Sequence, residues 1–296
     1  MLRPQVALPF LLVSLIWGST WWVITGQIGD VPASWSVAYR FLLATPAMFL
    51  VAIAMRRSLK LGTAGHVLAL LVGLTQFCGN YNFVYRAEMH LTSGIVAVMI
   101  SLMLVPNAVF ARFMLGQPIT RRFALGSTIA IAGIGVLLLH EAREASVHGT
   151  VILGVVCALV AMLSASISNV IQANEVGRRL PMVSLLAWAM LYGTLCNVVV
   201  ALVLAGPPVI PQGADYWLGT AYLAVFGSVV TFPIYYNLIR QLGAGRAAYN
   251  GVAVVVVAML LSTLFEGYRW SPLAILGAAL ATVGLVVALS ARKPAA

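Results

Sequence analysis

Charge is what this chain has least of. Only 8% of its 296 residues are Asp, Glu, Lys or Arg, while 62% are hydrophobic. A soluble domain carries about 25% charged residues, so a chain of this size could not clothe a surface for water. Acid is scarcer still, at 7 residues against 17 basic ones. Three cysteines are too few for a disulfide-stapled secreted scaffold, and the apolar content excludes intrinsic disorder. Catalytic signatures are missing as well: there is no G-x-x-x-x-G-K-[ST] run, no G-x-S-x-G elbow and no H-E-x-x-H pair. His66, His90, His140 and His148 fall at helix ends or in loops without ligand spacing and read as solvated. Cys78, Cys157 and Cys196, in three separate apolar runs, read as reduced packing residues. The expectation is a protein that is not an enzyme and needs no cofactor or metal.

What the chain does have is long apolar runs. They cover 8–28, 35–55, 65–86, 91–112, 122–140, 149–173, 182–205, 216–239, 247–265 and 272–290, each close to the roughly 20 residues a membrane-crossing helix needs. A β-barrel would alternate apolar and polar positions, and the run from Val252 to Leu261 does not. The predicted fold is all-α, an integral membrane protein of ten transmembrane helices. The first run is too long for a signal-peptide core and no small-residue cleavage site follows Gln27, so it reads as the first span. No soluble domain is expected at either end.

Basic residues favour one orientation. With the N-terminus in the cytoplasm, the inner connections hold Arg3, Arg56, Arg57, Lys60, Arg112, Arg121, Arg122, Arg178, Arg179, Arg240, Arg246, Arg292 and Lys293, and the outer ones only Arg86, Arg143 and Arg269. Positive residues stay inside, so both termini are predicted to be cytoplasmic in a multi-pass protein of the cytoplasmic membrane. Asp30, Glu88, Glu141, Glu144, Asp215 and Glu266 fall on the outer side and Glu175 near the inner one. The net charge of +10 is then topological. A nucleic-acid binder would cluster its basic residues on a polar face, so the expected partners are the bilayer and a small-molecule substrate, not nucleic acid.

The halves resemble each other. Gly126, Ala130 and Gly133 recur as Gly277, Ala281 and Gly284, and Pro32 and Pro181 each precede the second helix of a half. This predicts two repeats, 1–145 and 146–296. Five helices is an odd number, so the second repeat must enter the membrane from the opposite side, an arrangement recurrent in secondary transporters.

Leu15-Ile16-Trp17-Gly18-Ser19-Thr20, Tyr39-Arg40-Phe41-Leu42, the stretch from Leu91-Thr92-Ser93 to Leu115-Gly116, and the glycine-rich run Gly126 to Val136 occur in order. Over nearly its whole length the chain resembles the drug/metabolite transporter superfamily with its EamA-type repeat. It departs from that pattern at Gln117, where many relatives have Glu, although Glu266 keeps an acid in the second copy; Ser164-Ala165 replaces Trp17-Gly18 in the second half. The resemblance implies a secondary transporter working by alternating access. Length and aromatic content are similar to those of amino acid exporters, the YddG-like ones included. Nucleobases or cationic drugs are the alternative cargo, and a channel-like assembly or an intramembrane enzyme the rival classes.

Polar residues within spans face a bundle interior or a cavity. They concentrate in segments one, three, six and eight. Trp17 and Trp21 share a face; Gln76 and Asn80 share another beside Tyr81 and Tyr85; Ser164 and Ser168 run along segment six with Asn169; Ser228 and Tyr235 mark segment eight. These stripes are predicted to line one central cavity, with amides and hydroxyls binding a zwitterion and the aromatic rings enclosing its side chain. Arg40, the one basic residue inside a span, is expected either to pair with Asp30, Glu88 or Glu266 or to contact a substrate carboxylate. Pro106, Pro233 and Gly18 are the hinge candidates, with Pro46 a further kink. Segments five and ten, poor in polar residues, read as scaffold, and a homodimer through them is expected. No Asp lies within a span, which leaves facilitated diffusion or coupling through Glu88, Glu175 or Glu266.

Overall fold

The computed structural model describes residues 4–116, 118–144, 148–242 and 249–290. Gln117, Arg3, Arg246, Arg292 and Lys293, and the side chains of His140, Glu141, Arg143, Glu144, His148 and Arg240, lie outside the described part. In the first half, α1 (Pro4–Thr25) and α2 (Ala33–Ala54) are followed by a composite third span, in which α3 (Gly62–Val72), a π-helical stretch π1 (Gly73–Asn80) and α4 (Tyr81–Glu88) run on from one another. The fourth span is α5 (Ser93–Ser101) and α6 (Leu104–Leu115), and the fifth is α7 (Arg121–Glu144). The second half repeats the plan with α8 (His148–Ile171), a short α9 (Glu175–Arg179), α10 (Met182–Ala205), a composite of α11 (Ala214–Ala224), π2 (Val225–Val230) and α12 (Thr231–Leu242), then α13 (Tyr249–Phe265) and α14 (Pro272–Ser290). Among the described residues nine helices are long and apolar enough to span a bilayer, and Asn250–Phe265 is a shorter apolar helix in the place of the tenth.

Local chemistry sets the joints. Pro32, at φ −55° and ψ 133°, turns the chain into α2. Gly116 ends α6 in the left-handed region at φ 67°, a conformation that costs glycine nothing. The Asn174 side chain accepts the Gly177 N–H at 2.8 Å and caps α9. Pro106 lacks the N–H that would bond the Leu102 carbonyl, and the fourth span breaks there; that carbonyl accepts the Val105 N–H at 2.8 Å instead. Pro233, the third residue of α12, lies just past π2 and removes a donor from the helical ladder there. Pro46 sits in an unbroken α2. Gly18 departs from its expected hinge role: α1 is continuous there, and a Cβ on Gly18 would collide with Val257 of α13, so its smallness serves close packing.

The repeats are inverted, and packing shows it. In α7 and α14 the recurring glycines meet one another in antiparallel order: a Cβ at Gly126 would strike Ala288, and one at Gly133 would lie 2.7 Å from the Gly277 carbonyl oxygen. Equivalent helices α2 and α10 also run antiparallel, with Trp35 near the start of one donating to the Gly206 carbonyl at the end of the other at 3.2 Å. Their midpoint is marked by equivalent hydroxyls, Thr45 and Thr194, 2.8 Å apart. Other contacts come in pairs: α1 packs on α13 as α8 packs on α5 and α6, and the third span on α8 and α10 as the eighth on α1 and α2. Large apolar side chains cover the outside, Leu8, Leu50, Phe113, Val203 and Leu218 among them, where lipid tails are the solvent.

Some side chains sit differently from the sequence reading. His66 is not a solvated loop residue; it is half-buried in α3, with Nδ1 2.9 Å from the Tyr192 hydroxyl and its ring against Trp188. Cys78 and Cys196 are free, as expected, but they pack on each other, their thiols 3.2 Å apart between the third and seventh spans.

Association of spans rests on close approach of small residues, because hydrocarbon supplies no hydrophobic force between helices. Gly133→Leu should therefore lower the thermal unfolding temperature of the detergent-solubilised protein by an overpacking cost of about 1–3 kcal/mol. Gly135→Leu, which meets nothing within 4 Å, should leave it nearly unchanged; equal effects of the two would refute this packing account.

Candidate functional site

The spans enclose a central cavity of about 220 Å³. Seven of them line it, and none of the lining residues comes from the fifth, seventh or tenth span. Eight expected residues are on its wall: Trp17, Trp21, Arg40, Gln76, Asn80, Tyr81, Asn169 and Tyr235. The wall runs from Ile24, Val84 and Ala97, near the helix ends beside Asp30, to Asn107, Asn169 and Asn250, near the opposite ends.

Arg40 is the charged centre. Its side chain is among the largest that are fully buried, at 1% exposure. The Nε donates to the Ser228 hydroxyl at 3.3 Å, and Nη2 donates to the same oxygen at 3.2 Å and to the Gly227 carbonyl and Tyr81 hydroxyl at 3.5 Å. The guanidinium lies 4.4 Å above the Tyr81 ring and 5.6 Å from the Phe41 ring. Ser228 can accept these bonds because its own proton goes to the Leu223 carbonyl at 3.0 Å, a bond five residues back that belongs to the widened π2 turn. Gly227 must be glycine for the same fit, since a Cβ there would lie 2.9 Å from Thr20 and 3.2 Å from Arg40 Nη2. The expected ion pair of Arg40 with Asp30, Glu88 or Glu266 does not form: among the described residues the ion pair is Arg179 to Glu175, at 3.4 Å on the surface. Arg40 is held instead by neutral oxygens and π faces, and its Nη1 is buried with no hydrogen-bond partner.

Aromatic rings form the neighbouring wall. Trp17 packs on Phe232 at 5.6 Å and on Tyr235 at 4.9 Å, and its Nε1 donates to the Gly227 carbonyl at 3.3 Å. Trp21 Nε1 is a second buried donor with no partner. Amides complete the lining. Gln76 donates to Asn80 at 3.3 Å, and Asn80 donates to the Ala161 carbonyl at 2.9 Å, across the third and sixth spans. Asn250 donates to Ser14 at 2.7 Å and Phe10 at 3.0 Å, which leaves its Oδ1 buried without a partner. Both π stretches lie at this site: π1 carries Gln76 and Asn80, and π2 carries Gly227 and Ser228. Such bulges are frequent at functional positions in helices.

Four expected residues are not on the wall. Ser164 donates to the Thr75 carbonyl at 2.8 Å and ties the sixth span to the third. Ser168 is fully buried and bonded by Gln172 at 3.1 Å. Ser228 positions Arg40 from behind, and Tyr85 is fully buried beyond the cavity. A hydroxyl has many ways to be satisfied inside a bundle, so four-residue spacing of serines does not identify a cavity face. Residues not foreseen are Thr20, Ser101, Asn107, Phe232, Tyr236 and Asn250. Asn107 and Asn250 carried a usable signal, an amide within or at the edge of an apolar run. Tyr216, Trp217 and Tyr268 pack at the helix ends: Tyr216 donates to Ser36 at 2.8 Å, Trp217 donates to the Pro211 carbonyl at 3.0 Å, and Tyr268 is 7% exposed. A second, larger cleft of about 840 Å³ lies between the α1–α2 turn and the α10–α11 connection, with Asp30 and Asp215 on its wall and no residue shared with the central cavity.

An inverted pair of five-helix repeats around a small polar and aromatic cavity defines a multi-pass membrane transporter. The EamA-like transporter family matches the chain twice, over residues 6–139 and 152–290, and the chain belongs to that family. It is 22% identical to Protein PagO of Salmonella typhimurium, over 99% of this chain and 95% of that one. It is 21% identical to the transporter YoaV of Bacillus subtilis, over 95% of each chain. It is 27% identical to the inner membrane transporter YedA of Escherichia coli K12, over 95% of this chain and 90% of that one. A solved crystal structure shares the fold with a TM-score of 0.69 at 19% identity, covering 97% of each chain.

Cavity and packing residues are separable by chemistry. In a background without native cysteines, Gln76→Cys and Asn169→Cys should react with an aqueous maleimide, and Ser164→Cys and Ser168→Cys should stay protected. The reverse pattern would show that the cavity described here is not the aqueous one.

Proposed function

We propose that this transporter exports amino acids with aromatic or apolar side chains, or closely related small metabolites, by alternating access. The observation that carries the reading is the buried Arg40, which lines the cavity and whose Nη1 makes no hydrogen bond, with the Tyr85 hydroxyl the protein group in reach. A carboxylate is the ligand group that would satisfy a guanidinium N–H. Trp21 Nε1 offers a second donor nearby in the same wall, and Trp17, Phe232 and Tyr235 offer rings for an apolar side chain. The amides of Gln76, Asn80, Asn107, Asn169 and Asn250 supply oxygens for an ammonium group. Drug-sized pockets run from about 300 to 1,000 Å³, and the 220 Å³ here suits a single amino acid better. Nucleobases are the second reading, favoured by the same amides, which could match a base edge. A fixed guanidinium disfavours cationic drugs.

The bias of basic residues supports an orientation in the inner membrane with the Asp30 end outside and both termini in the cytoplasm. The small-residue faces of α7 and α14 are used within one chain, so a homodimer through the fifth and tenth spans would use their outward faces, where Leu125, Ile131, Leu276 and Val283 are exposed.

Counterflow in proteoliposomes with a panel of amino acids, nucleobases and organic cations tests the cargo. Saturable exchange of aromatic or apolar amino acids is expected; exchange of cations alone would overturn the reading. A hydrogen bond to a charged group contributes about 1.5–3 kcal/mol, so Arg40→Lys, which loses the forked guanidinium, should raise KM for an exchanged amino acid roughly ten- to a hundredfold. Near-normal KM in that variant would remove Arg40 from carboxylate recognition.

A further inference from the structure

At the Asp30 end the cavity stops beneath a buried acidic cluster. Glu88, the last residue of α4, is 6% exposed, and neither carboxylate oxygen has a hydrogen-bond partner. Glu266, directly after α13, uses Oε2 to accept the N–H of Ser93, the first residue of α5, at 3.0 Å, and the Ser262 hydroxyl at 2.8 Å. Its Oε1 is buried without a partner. The Ser93 hydroxyl, fully buried, and the Thr92 hydroxyl are also without partners. Ends of the third, fourth and ninth spans therefore converge on carboxylates that no basic residue pairs with among the described residues.

Glu88 is buried and Glu266 partly so, and a like charge beside a buried, unpaired carboxylate adds to the cost of ionising it. Unpaired burial of one alone is already costly. Groups that act on Glu88 come from each neighbouring element. Glu266 follows α13, Arg40 is on α2, and Tyr85 is on the same helix, itself in reach of Arg40 and of Tyr216 on α11. From α8 comes Cys157, close to Arg86 on the helix of Glu88, and His90 follows two residues after Glu88. Described side chains of α1 and α5 hold no titratable group; Thr92 and Ser93 are the polar groups on the α5 side. Among the described residues Arg40 is the buried cation, and it acts on Glu88 only through space, since its hydrogen bonds go to Ser228, Gly227 and Tyr81.

We propose that Glu88 and Glu266 form a proton-binding site that governs closure of the Asp30 end: a proton taken up by the pair lets the three helix ends close, and its loss drives them apart. The step is a protonation, one carboxylate taking one proton from water on closing and returning it on opening. It rests on the protein being a transporter and not on the identity of its cargo. In an exporter cycle it would make closure of that end, and so the return of the empty carrier, depend on proton concentration.

The test needs no substrate. Full-length protein in lipid nanodiscs, with native cysteines replaced, carries spin labels at the exposed positions Met89 and Phe265. Double electron–electron resonance is then recorded from mildly acidic to mildly alkaline pH. The distance distribution should shift to longer values as pH rises. Glu88→Gln, which keeps shape and mimics the neutral acid, should hold the short distance at every pH, and Glu266→Gln, which can still accept from Ser93, should abolish or strongly displace the transition. A protonated-carboxyl infrared band in the unlabelled wild type, lost in Glu88→Gln, is the second readout and remains usable if a labelled variant folds poorly. A pH response that survives both substitutions, the absence of any response together with no such band, or a response to sodium at constant pH in place of protons would overturn the proposal. Failure of amino acid counterflow would leave these outcomes unaffected, so the two readings fail separately.

Discussion

A guanidinium buried between transmembrane helices without a counter-carboxylate is the constraint around which the site is arranged. An unsatisfied charge in that setting is among the costliest things a bundle can hold. Here the cost is offset by neutral groups: two bonds to Ser228, a carbonyl at Gly227 and the face of Tyr81. Each of these requires something unusual of the backbone. Ser228 and Gly227 present their oxygens because π2 widens the eighth span, and Gly227 admits the side chain because it has no Cβ. Tyr81 arrives at the right height as the first residue after π1. The two π stretches are what lets a single arginine stand in the bundle with its Nη1 donors unbonded.

Arg40, Trp17, Gln76 and Asn80 were legible in the sequence for a thermodynamic reason. A charge or an amide deep in an apolar run has few tolerable environments, and a cavity is one of them. The serines were not legible, because Ser164 and Ser168 are satisfied by a carbonyl or a neighbouring side chain without any cavity. The span count, the two repeats and the break of the fourth span ahead of Pro106 followed from hydrophobic length, recurring small residues and the missing N–H of proline. Neither π stretch could be read, since Gly73–Asn80 and Val225–Val230 have ordinary membrane composition and their geometry is imposed by neighbours. A Cβ at Gly73 would lie 2.6 Å from the Ala189 carbonyl, so close approach of the seventh span shapes the third. The meeting of Glu88 with Glu266 was equally hidden: each is a helix-end acid in sequence, and only the tertiary fold brings them together.

Scaffold and site obey different symmetries, and that difference bears on how such a carrier would move. The helices that hold the halves together are mirrored closely, with α7 against α14 and Thr45 against Thr194. The functional groups are not. Trp17-Gly18 faces Ser164-Ala165 in the corresponding helix of the second half, and the fourth span is broken at Leu102 and Met103 while its counterpart α13 is continuous from Tyr249 to Phe265. Inverted-repeat carriers can alternate by letting the halves exchange conformations around a fixed site. Complete exchange would require α13 to break as the fourth span does ahead of Pro106, and α13 carries no proline to impose such a break. Two end states built from such unlike halves would differ in energy. A ligand on one side of that imbalance can shift it only by binding one state better than the other. Arg40, at the centre, and the carboxylates at the Asp30 end, Glu88 from the first half and Glu266 from the second, are placed where binding would make that difference.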